Sequence, residues 1–148
     1  MMRILLDTHI ALWAVADSGR LSEEVARMLE AEKNEIYYSV ASVWEIAIKH
    51  HIKPEQMPIP EEEFVELCDE TGFVLLPVET RHIFMVKTLV RSADAPKHND
   101  PFDRILLAQA KCENMTMLTH DSLIPYYGEV VWSVYKTGCE GSCADARL

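Results

Sequence analysis

The chain has 148 residues, of which 24 are acidic, 14 are basic and 49% are hydrophobic, and its formal net charge is −10. This length and composition fit one globular domain and exclude an intrinsically disordered or collagen-like chain. The negative charge excludes a generic basic nucleic-acid binder, whose affinity comes from Lys and Arg on phosphates. No apolar run approaches the roughly 18 residues needed to span a bilayer, and no targeting signal is visible, so we expect a cytoplasmic protein.

Short apolar runs alternate with longer amphipathic stretches, which is typical of β-α units with a parallel sheet. The predicted strands are Arg3 to Leu6, Ile36 to Ser39, Phe73 to Leu76, Thr116 to Thr119 and Val130 to Trp132. The predicted helices are Thr8 to Val15, Ser22 to Ala31, Ala41 to His51, Pro60 to Glu70, Glu79 to Val90 and Pro101 to Glu113. For the third helix, the spacing predicts a buried face made of Val40, Val43, Trp44, Ala47 and Ile48.

Acidic residues recur where a parallel sheet places its ligands. In open α/β sheets, the ligand site lies beyond the carboxyl ends of the strands. Asp7 directly follows the first strand, and Asp121 comes shortly after the fourth. Glu45 lies in the helix after the second strand, while Asp100 and Asp103 stand at the start of the helix before the fourth. These positions predict that the acids meet at one rim of the sheet.

Several of these acids also have an ordinary structural explanation. Asp7, Asp100 and Asp121 each precede a helical stretch, where Asp is a preferred N-cap. Glu45 and Lys49 have the i, i+4 spacing of a surface ion pair, which is worth roughly 0.2–0.5 kcal/mol.

Capping does not explain Glu45, which lies inside its helix, or Asp103, which shares a helical stripe with Leu106, Leu107 and Ala110. Carboxylates that converge repel one another unless a cation neutralises them. Mg²⁺ and Mn²⁺ prefer oxygen ligands and keep waters and phosphate oxygens in their coordination shell. The acids together therefore indicate a metal site for phosphate chemistry.

Motifs for other chemistries are absent from the sequence. The five glycines form no G-x-G-x-x-G or G-x-x-x-x-G-K loop and no G-x-S-x-G elbow. A phosphatase of the haloacid-dehalogenase type needs a second Asp two residues after Asp7, where this chain has His9. The four cysteines do not make a disulfide framework, although Cys139 and Cys143 are close enough in sequence to pair or to bind a metal.

Four ordered segments resemble the PIN-domain ribonucleases and, among these, the VapC-type toxins of toxin–antitoxin pairs. The segments are Leu5-Leu6-Asp7-Thr8-His9, Ser42 to Lys49, Asp100 to Ala110 and Leu118-Thr119-His120-Asp121. The resemblance implies an α/β, PIN-like fold whose five-stranded parallel sheet carries helices on both faces. We expect the PIN domain to span residues 1–133 and a C-terminal tail to span 134–148.

The resemblance implies that Asp7, Glu45, Asp103 and Asp121 are both catalytic residues and ligands of Mg²⁺ or Mn²⁺, with Asp100 as an additional ligand. Asp7 and Asp103 would be the principal ligands. The expected reaction is hydrolysis of RNA phosphodiester bonds by a water that the metal activates.

Neighbouring residues are candidates for supporting roles. Lys97, His98 and Arg104 are candidates to bind RNA phosphates, and Thr8 and Ser39 to orient a carboxylate or a metal-bound water. Each also has an ordinary alternative as a loop, helix-start or strand-end residue.

The resemblance further implies a homodimer that is bound by a cognate antitoxin, whose C-terminal segment lies along the active-site groove. His9 and His120 are further candidates for Mn²⁺ ligands, although histidine at a helix start or turn is usually structural. Two other hypotheses stay open: a non-catalytic RNA-binding or assembly module with the same fold, and a metal-dependent phosphatase or phosphotransferase.

The charge is divided along the chain. Residues 22–70 contain 13 acids and four bases, a local net charge of −9, whereas residues 81–111 contain six bases and three acids, a net charge of +3. A basic flank beside a metal-filled acidic site would attract a polyanion. We therefore expect the affinity for RNA to be weak without metal and to fall further with salt.

Overall fold

The computed structural model describes residues 1–91, 93, 95 and 100–120, together with the backbone of 131–133. Its strands are β1 Arg3–Leu6, β2 Glu35–Ser39, β3 Val74–Leu76, β4 Thr116–Thr119 and β5 Val131–Ser133. Its α-helices are α1 Thr8–Ala16, α2 Glu23–Glu30, α3 Val40–Ile52, α4 Glu61–Thr71, α5 Thr80–Met85 and α6 Pro101–Glu113. No helix in these described ranges is both long and apolar enough to cross a membrane.

The five strands form one parallel sheet in the order β3-β2-β1-β4-β5. This order confirms the predicted α/β class with a five-stranded parallel sheet. Each strand boundary lies within one residue of its prediction. The apolar runs of β1 and β4 are buried, whereas Val74 and Leu75 of β3 are exposed.

The central strand β1 is covered on both faces, as the alternation of side chains along a strand requires. Ile4 and Leu6 pack in a core cluster with residues of α1, α2 and α4. Leu5 points the other way and packs in a second cluster with Leu106 and Leu107 of α6. Helices therefore lie on both faces of the sheet, and the carboxyl end of β1 is enclosed between them.

Several helices begin as the sequence indicates. Asp7 caps α1 by accepting the backbone N–H of Ile10 at 2.9 Å, and Asp100 caps α6 by accepting that of Phe102 at 2.9 Å. Pro101 occupies the first turn of α6, where a missing N–H costs nothing. The candidate cap Asp121 lies outside the described residues.

The predicted buried face of α3 is wrong for most of its residues, although Val43 is partly buried and packs against the core. The residues of α3 that are buried are Ala41, Ser42, Glu45 and Ile46, whereas Trp44 is 62% exposed. Hydrophobic spacing gave the wrong face because Ser42 and Glu45, on the opposite side of α3, form hydrogen bonds with Thr8 of α1 and can therefore be buried.

The predicted helix over Glu79 to Val90 is also wrong in length. The α-helix α5 ends at Met85, and a single 3₁₀ turn follows over Val86–Thr88. The Thr88 hydroxyl donates to the Met85 carbonyl at 2.7 Å, which provides a local alternative to continued α-helix. The next residue, Leu89, is extended and packs in the core.

Helix α4 ends on Gly72, whose φ of 93° lies in the left-handed region. A side chain there has to adopt a conformation that costs L-residues about 1–2 kcal/mol. We expect Gly72→Ala to lower the free energy of unfolding by about 1 kcal/mol, measured by urea denaturation.

Gly19→Ala is the matched control, because Gly19 has no positive φ and an added Cβ would meet no atom within 4 Å. It should leave the stability unchanged or slightly raised. Equal losses at the two glycines would contradict the explanation.

Candidate functional site

Asp7 is held in a buried hydrogen-bond network at the carboxyl end of β1. Its Oδ1 accepts the Ile10 N–H, and its Oδ2 accepts the Thr119 hydroxyl at 2.5 Å and the His120 N–H at 3.1 Å. The His120 Nδ1 lies 3.4 Å from the same oxygen. The carboxylate therefore ties β1 to the end of β4.

This network fixes the charge of Asp7. Burial by itself would raise the pKa of Asp7, but the hydrogen bonds from His120, Thr119 and Ile10 outweigh it and hold the pKa below its usual value. Asp7 is therefore an anion at neutral pH, although it is only 3% exposed.

Glu45 is the second buried acid of the rim, at 4% exposure. Its Oε1 accepts the Thr8 hydroxyl at 2.6 Å, and its Oε2 contacts the Lys49 ammonium at 2.5 Å. The Ser42 hydroxyl lies 2.9 Å from that of Thr8. The ion pair with Lys49 has the expected i, i+4 spacing, but its acidic end is buried and is not part of the surface.

Lys49 connects Glu45 to the acids at the start of α6. Burial would lower the pKa of Lys49, but the hydrogen bond to Glu45 and the attraction of Glu45, Asp100 and Asp103 raise it above its usual value. These charges act on one ammonium group because α3 packs against α6, with Trp44 and Phe102 in ring contact at 5.2 Å.

The acids lie along one rim and do not form a tight triad. Among the described residues, the carboxylates of Asp7, Glu45 and Asp103 do not all lie within 4.8 Å of one another. Asp100 uses its Oδ1 on the backbone N–H groups of Phe102 and Asp103. The structure thus brings three of the four predicted catalytic acids to one end of the sheet.

The remaining predicted site residues have varied placements. Asp121, Lys97 and His98 lie outside the described residues, as do Cys139 and Cys143.

Of the predicted supporting residues, Thr8 contacts Glu45 directly. Ser39 instead donates to Gln109 Oε1 at 2.6 Å and caps α3 by accepting the Ala41 N–H. Arg104 is half-buried at the start of α6.

The donor set fits a hard divalent cation. All the acids offer oxygen, and Asp7 Oδ1 accepts one hydrogen bond in the described residues, which leaves a second lone pair. Mg²⁺ is usually held by one or two carboxylates and keeps several waters, so it does not require all the acids to converge on one point.

Lys49, Ser42 and Thr119 are site residues that the sequence reasoning did not identify. Ser42, Glu45 and Lys49 have i, i+3 and i+7 spacing, so a polar stripe was visible on one face of α3. The bond from Thr119 to Asp7 joins residues 112 positions apart and has no local signal.

A second group of possible ligands, His82, Cys112 and Glu113, lies within 4.8 Å between α5 and α6. The buried His82 accepts the Glu79 N–H at Nδ1, so its proton sits on Nε2, which lies 2.7 Å from Glu113 Oε2. A metal-bound histidine uses the opposite arrangement and donates from its other nitrogen. Arg81 also contacts Glu113 and Cys112, so this group clamps the two helices together.

The fold and the rim define the class of protein: an α/β domain whose parallel sheet ends in acidic residues, two of them, Asp7 and Glu45, buried. The family model described as PIN domain matches residues 4–129. The chain therefore belongs to the PIN-domain family, whose members are generally nucleases. Among curated proteins, none matches the chain significantly.

Solved structures share the fold at low sequence identity. VapBC2 from Rickettsia felis, bound to a DNA fragment from its promoter, is 18% identical with a TM-score of 0.58 over 81% of this chain and 88% of that one. DNA-bound VapBC from Salmonella typhimurium is 15% identical with a TM-score of 0.56 over 81% and 87%. FitAcB from Neisseria gonorrhoeae is 19% identical with a TM-score of 0.52 over 82% and 89%.

The contacts of His82 and Arg81 with Glu113, which join α5 to α6, predict that the free energy of unfolding falls at acidic pH. The hydrogen bond from His82 lowers the pKa of Glu113, burial opposes this shift, and Arg81 adds to it, so that the pKa is lowered overall. A lowered folded pKa stabilises the protein above the unfolded value, about 4.5. That contribution is lost as the pH falls through the folded pKa.

We expect Glu113→Gln to lower the free energy of unfolding at pH 7 by about 1–2 kcal/mol, because charge-assisted hydrogen bonds are lost. The difference from the parent should shrink as the pH falls below about 4.5, measured by urea denaturation. Glu66→Gln, at an exposed position on α4, is the control and should show neither effect. A deficit at Glu113 that is independent of pH would contradict the assignment.

Proposed function

We propose that the protein is a metal-dependent endoribonuclease that hydrolyses RNA phosphodiester bonds at the acidic rim. The observation that carries this proposal is Asp7, a buried and ionised carboxylate at the carboxyl end of the central strand, beside the buried Glu45. Keeping two carboxylates buried is costly for a fold, and a cation that they bind is a direct reason for it.

The proposed ligands of Mg²⁺ or Mn²⁺ are Asp7, Glu45 and Asp103, with Asp121 and Asp100 as further members of the set. When bound, such an ion lowers the pKa of a coordinated water and neutralises charge on the phosphate and the leaving oxygen. The protein's own contribution is to lower the pKa of Asp7 and to orient the carboxylates of Asp7 and Glu45 before substrate arrives.

Other side chains of the site have positioning roles in this proposal. The Thr8 hydroxyl fixes one oxygen of Glu45, and Thr119 fixes one oxygen of Asp7. Lys49 balances part of the negative charge and stands where it can contact a phosphate oxygen. Arg104 is the described candidate for a second phosphate contact, and Lys97 and His98 are proposed for the same role.

We further propose that the protein is the toxin of a type II toxin–antitoxin pair, acting on RNA in the cytoplasm as a homodimer. The support is that two of its structural neighbours are VapBC complexes and that the fold matches them over more than four fifths of both chains. A cognate antitoxin would cover the acidic rim, and a basic side chain on it would be attracted to the carboxylates.

The nuclease proposal predicts the effect of removing single carboxylates. Asp7→Asn and Asp103→Asn should each lower RNA cleavage by at least about 100-fold with Mg²⁺ or Mn²⁺, because loss of a carboxylate ligand weakens binding of the ion. Thr8→Val should lower cleavage by about 10–100-fold, as expected for a side chain that orients a metal ligand. The measurement is cleavage of single-stranded and structured RNAs, with Mn²⁺ binding followed by calorimetry.

Glu62→Gln, at an exposed position on α4, is the control and should cleave like the parent. Cleavage at the parental rate by the Asp7 and Asp103 variants would refute the mechanism. Failure to bind Mn²⁺ would favour a non-catalytic module, and faster hydrolysis of a small phosphate monoester than of RNA would favour a phosphatase.

The toxin proposal predicts that expression of the chain arrests the growth of a bacterial host, whereas the Asp7→Asn variant, at equal protein level, does not. Growth and total RNA integrity are the measurements. Co-expression of a cognate antitoxin should restore growth, and the antitoxin should co-purify with the chain. Undisturbed growth with an active nuclease would refute the toxin assignment and leave the chemistry intact.

A further inference from the structure

A cavity of about 690 Å³ opens beside the acidic rim, on the side of α1. Ligand sites in proteins usually have volumes of about 300–1,000 Å³, so this one is large enough for a nucleotide. It is lined by side chains from α1, from the turn after α1, from the segment between α3 and α4, and from the end of β4, among them His9, Trp13, Arg20, Glu55, Gln56 and His120.

Aromatic rings form one wall of this cavity. The His120 ring lies 4.9 Å from both His9 and Trp13, and the His9 and Trp13 rings lie 6.0 Å apart, between centroids. All three side chains are only partly buried, so ring surface remains open to the cavity. Proteins use such rings to stack the bases of single-stranded RNA.

A cation stands at the edge of the same wall. The guanidinium carbon of Arg20 lies 4.6 Å from the centroid of the Trp13 ring. Arg20 is exposed at the end of its 3₁₀ turn, and a second cavity of about 330 Å³ also contacts Arg20, Trp13 and His120. A planar guanidinium above an aromatic ring binds phosphate oxygens in a fixed direction.

The opposite side of the cavity carries hydrogen-bonding groups. Glu55 and Gln56 are exposed there, in the segment that connects α3 to α4. A carboxylate accepts hydrogen bonds from the amino groups of bases, and an amide both donates and accepts. The Glu55 carboxylate repels phosphate, and both side chains suit the edge of a base.

The cavity adjoins the proposed catalytic site through His120. The same residue that lines the cavity donates its backbone N–H to Asp7 at 3.1 Å. A nucleotide in the cavity would therefore be next to the phosphodiester bond at the rim.

We propose that this cavity binds one nucleotide of the substrate RNA beside the cleaved bond. The base stacks on Trp13 alone, because the rings of His9 and His120 are tilted by 58° and 63° from the indole plane. Its phosphate contacts Arg20, and its edge contacts Glu55 and Gln56. The inference rests on the proposed nuclease function for the identity of the ligand, but the cavity itself can be tested without any cleavage.

The first test is a titration with the four ribonucleoside 5′-monophosphates and with inorganic phosphate, followed by NMR of the Trp13 indole N–H. The chain has three tryptophans, and Trp13→Phe identifies the signal. We expect the nucleotides to shift this signal, with UMP, which lacks an amino group, binding most weakly, and phosphate alone to shift it much less. Arg20→Ala should weaken nucleotide binding by about tenfold, as loss of a charge-assisted contact does.

The matched control is Arg27→Ala, because Arg27 is an exposed arginine on α2 that lines none of the described cavities. Binding by this variant should equal that of the parent. Nucleotides that leave the Trp13 signal unchanged, or that bind equally well to the Arg20→Ala variant, would overturn the proposal.

The second test compares cleavage of an RNA with cleavage of the same RNA lacking one base next to the cleaved bond. Loss of a stacked base should lower kcat/KM by about 5- to 150-fold in the parent. In Trp13→Leu the two RNAs should be cleaved at similar rates, and in Arg20→Ala and Gln56→Ala, which alter exposed positions, the penalty should be reduced.

The two proposals fail in different ways. Nucleotide binding at Trp13 without RNA cleavage would overturn the proposed nuclease function but support the proposal that the cavity binds a nucleotide. RNA cleavage that does not depend on the neighbouring base, on Trp13 or on Arg20 would support the nuclease function but overturn the proposal that the cavity binds a nucleotide. An antitoxin peptide that shifts the Trp13 signal while nucleotides do not would also overturn it.

Discussion

The structure depends on the hydrogen bonds that hold the Asp7 carboxylate. One oxygen caps the N-terminus of α1 by accepting the Ile10 N–H. The other accepts hydrogen bonds from Thr119 and His120 and so joins β1 to the end of β4. A helix start, a strand pairing and an ionised group are thus fixed by one side chain. Because each donor favours the charged form, the network outweighs the effect of burial, which by itself raises the pKa of Asp7. The geometry of the rim is therefore set before any ligand is present.

This anion determines how the surrounding helices pack. Thr8 follows Asp7 and is buried with it, so its hydroxyl needs a partner and finds Glu45 on α3. Glu45 is then drawn inward together with Ser42, and Lys49 follows to balance the charge. The polar stripe of α3 consequently faces the interior, and Trp44 remains largely exposed beside Phe102. The hydrogen bonds of its polar residues, and not its apolar stripe, thus determine which face of α3 is buried.

The parts of the fold that could be predicted are those governed by neighbours in sequence. The apolar strands and the caps at Asp7 and Asp100 follow from local patterns, and their boundaries agree with the structure. The face of α3 could not be predicted from hydrophobic spacing, since its orientation depends on a hydrogen bond between residues 37 positions apart. The hydrogen bond between His82 and Glu113 could not be predicted for the same reason, since it joins residues 31 positions apart. For the candidate site, sequence reasoning named the acids at the rim and the Thr8 hydroxyl, but not Ser42, Thr119 or Lys49, which also contact this network.

The charge of the rim explains how so acidic a chain would approach RNA under the proposed function. Four carboxylates, Asp7, Glu45, Asp100 and Asp103, and two cations, Lys49 and Arg104, belong to the described rim, which gives a formal net charge of −2. A phosphodiester would be repelled from this surface, and screening weakens that repulsion only beyond about 8–10 Å. Two bound divalent ions would add four positive charges and reverse the sign. Metal binding would therefore be a condition for substrate binding as well as for chemistry, and the basic and aromatic groups at the edge would act only on RNA that the ions have already attracted.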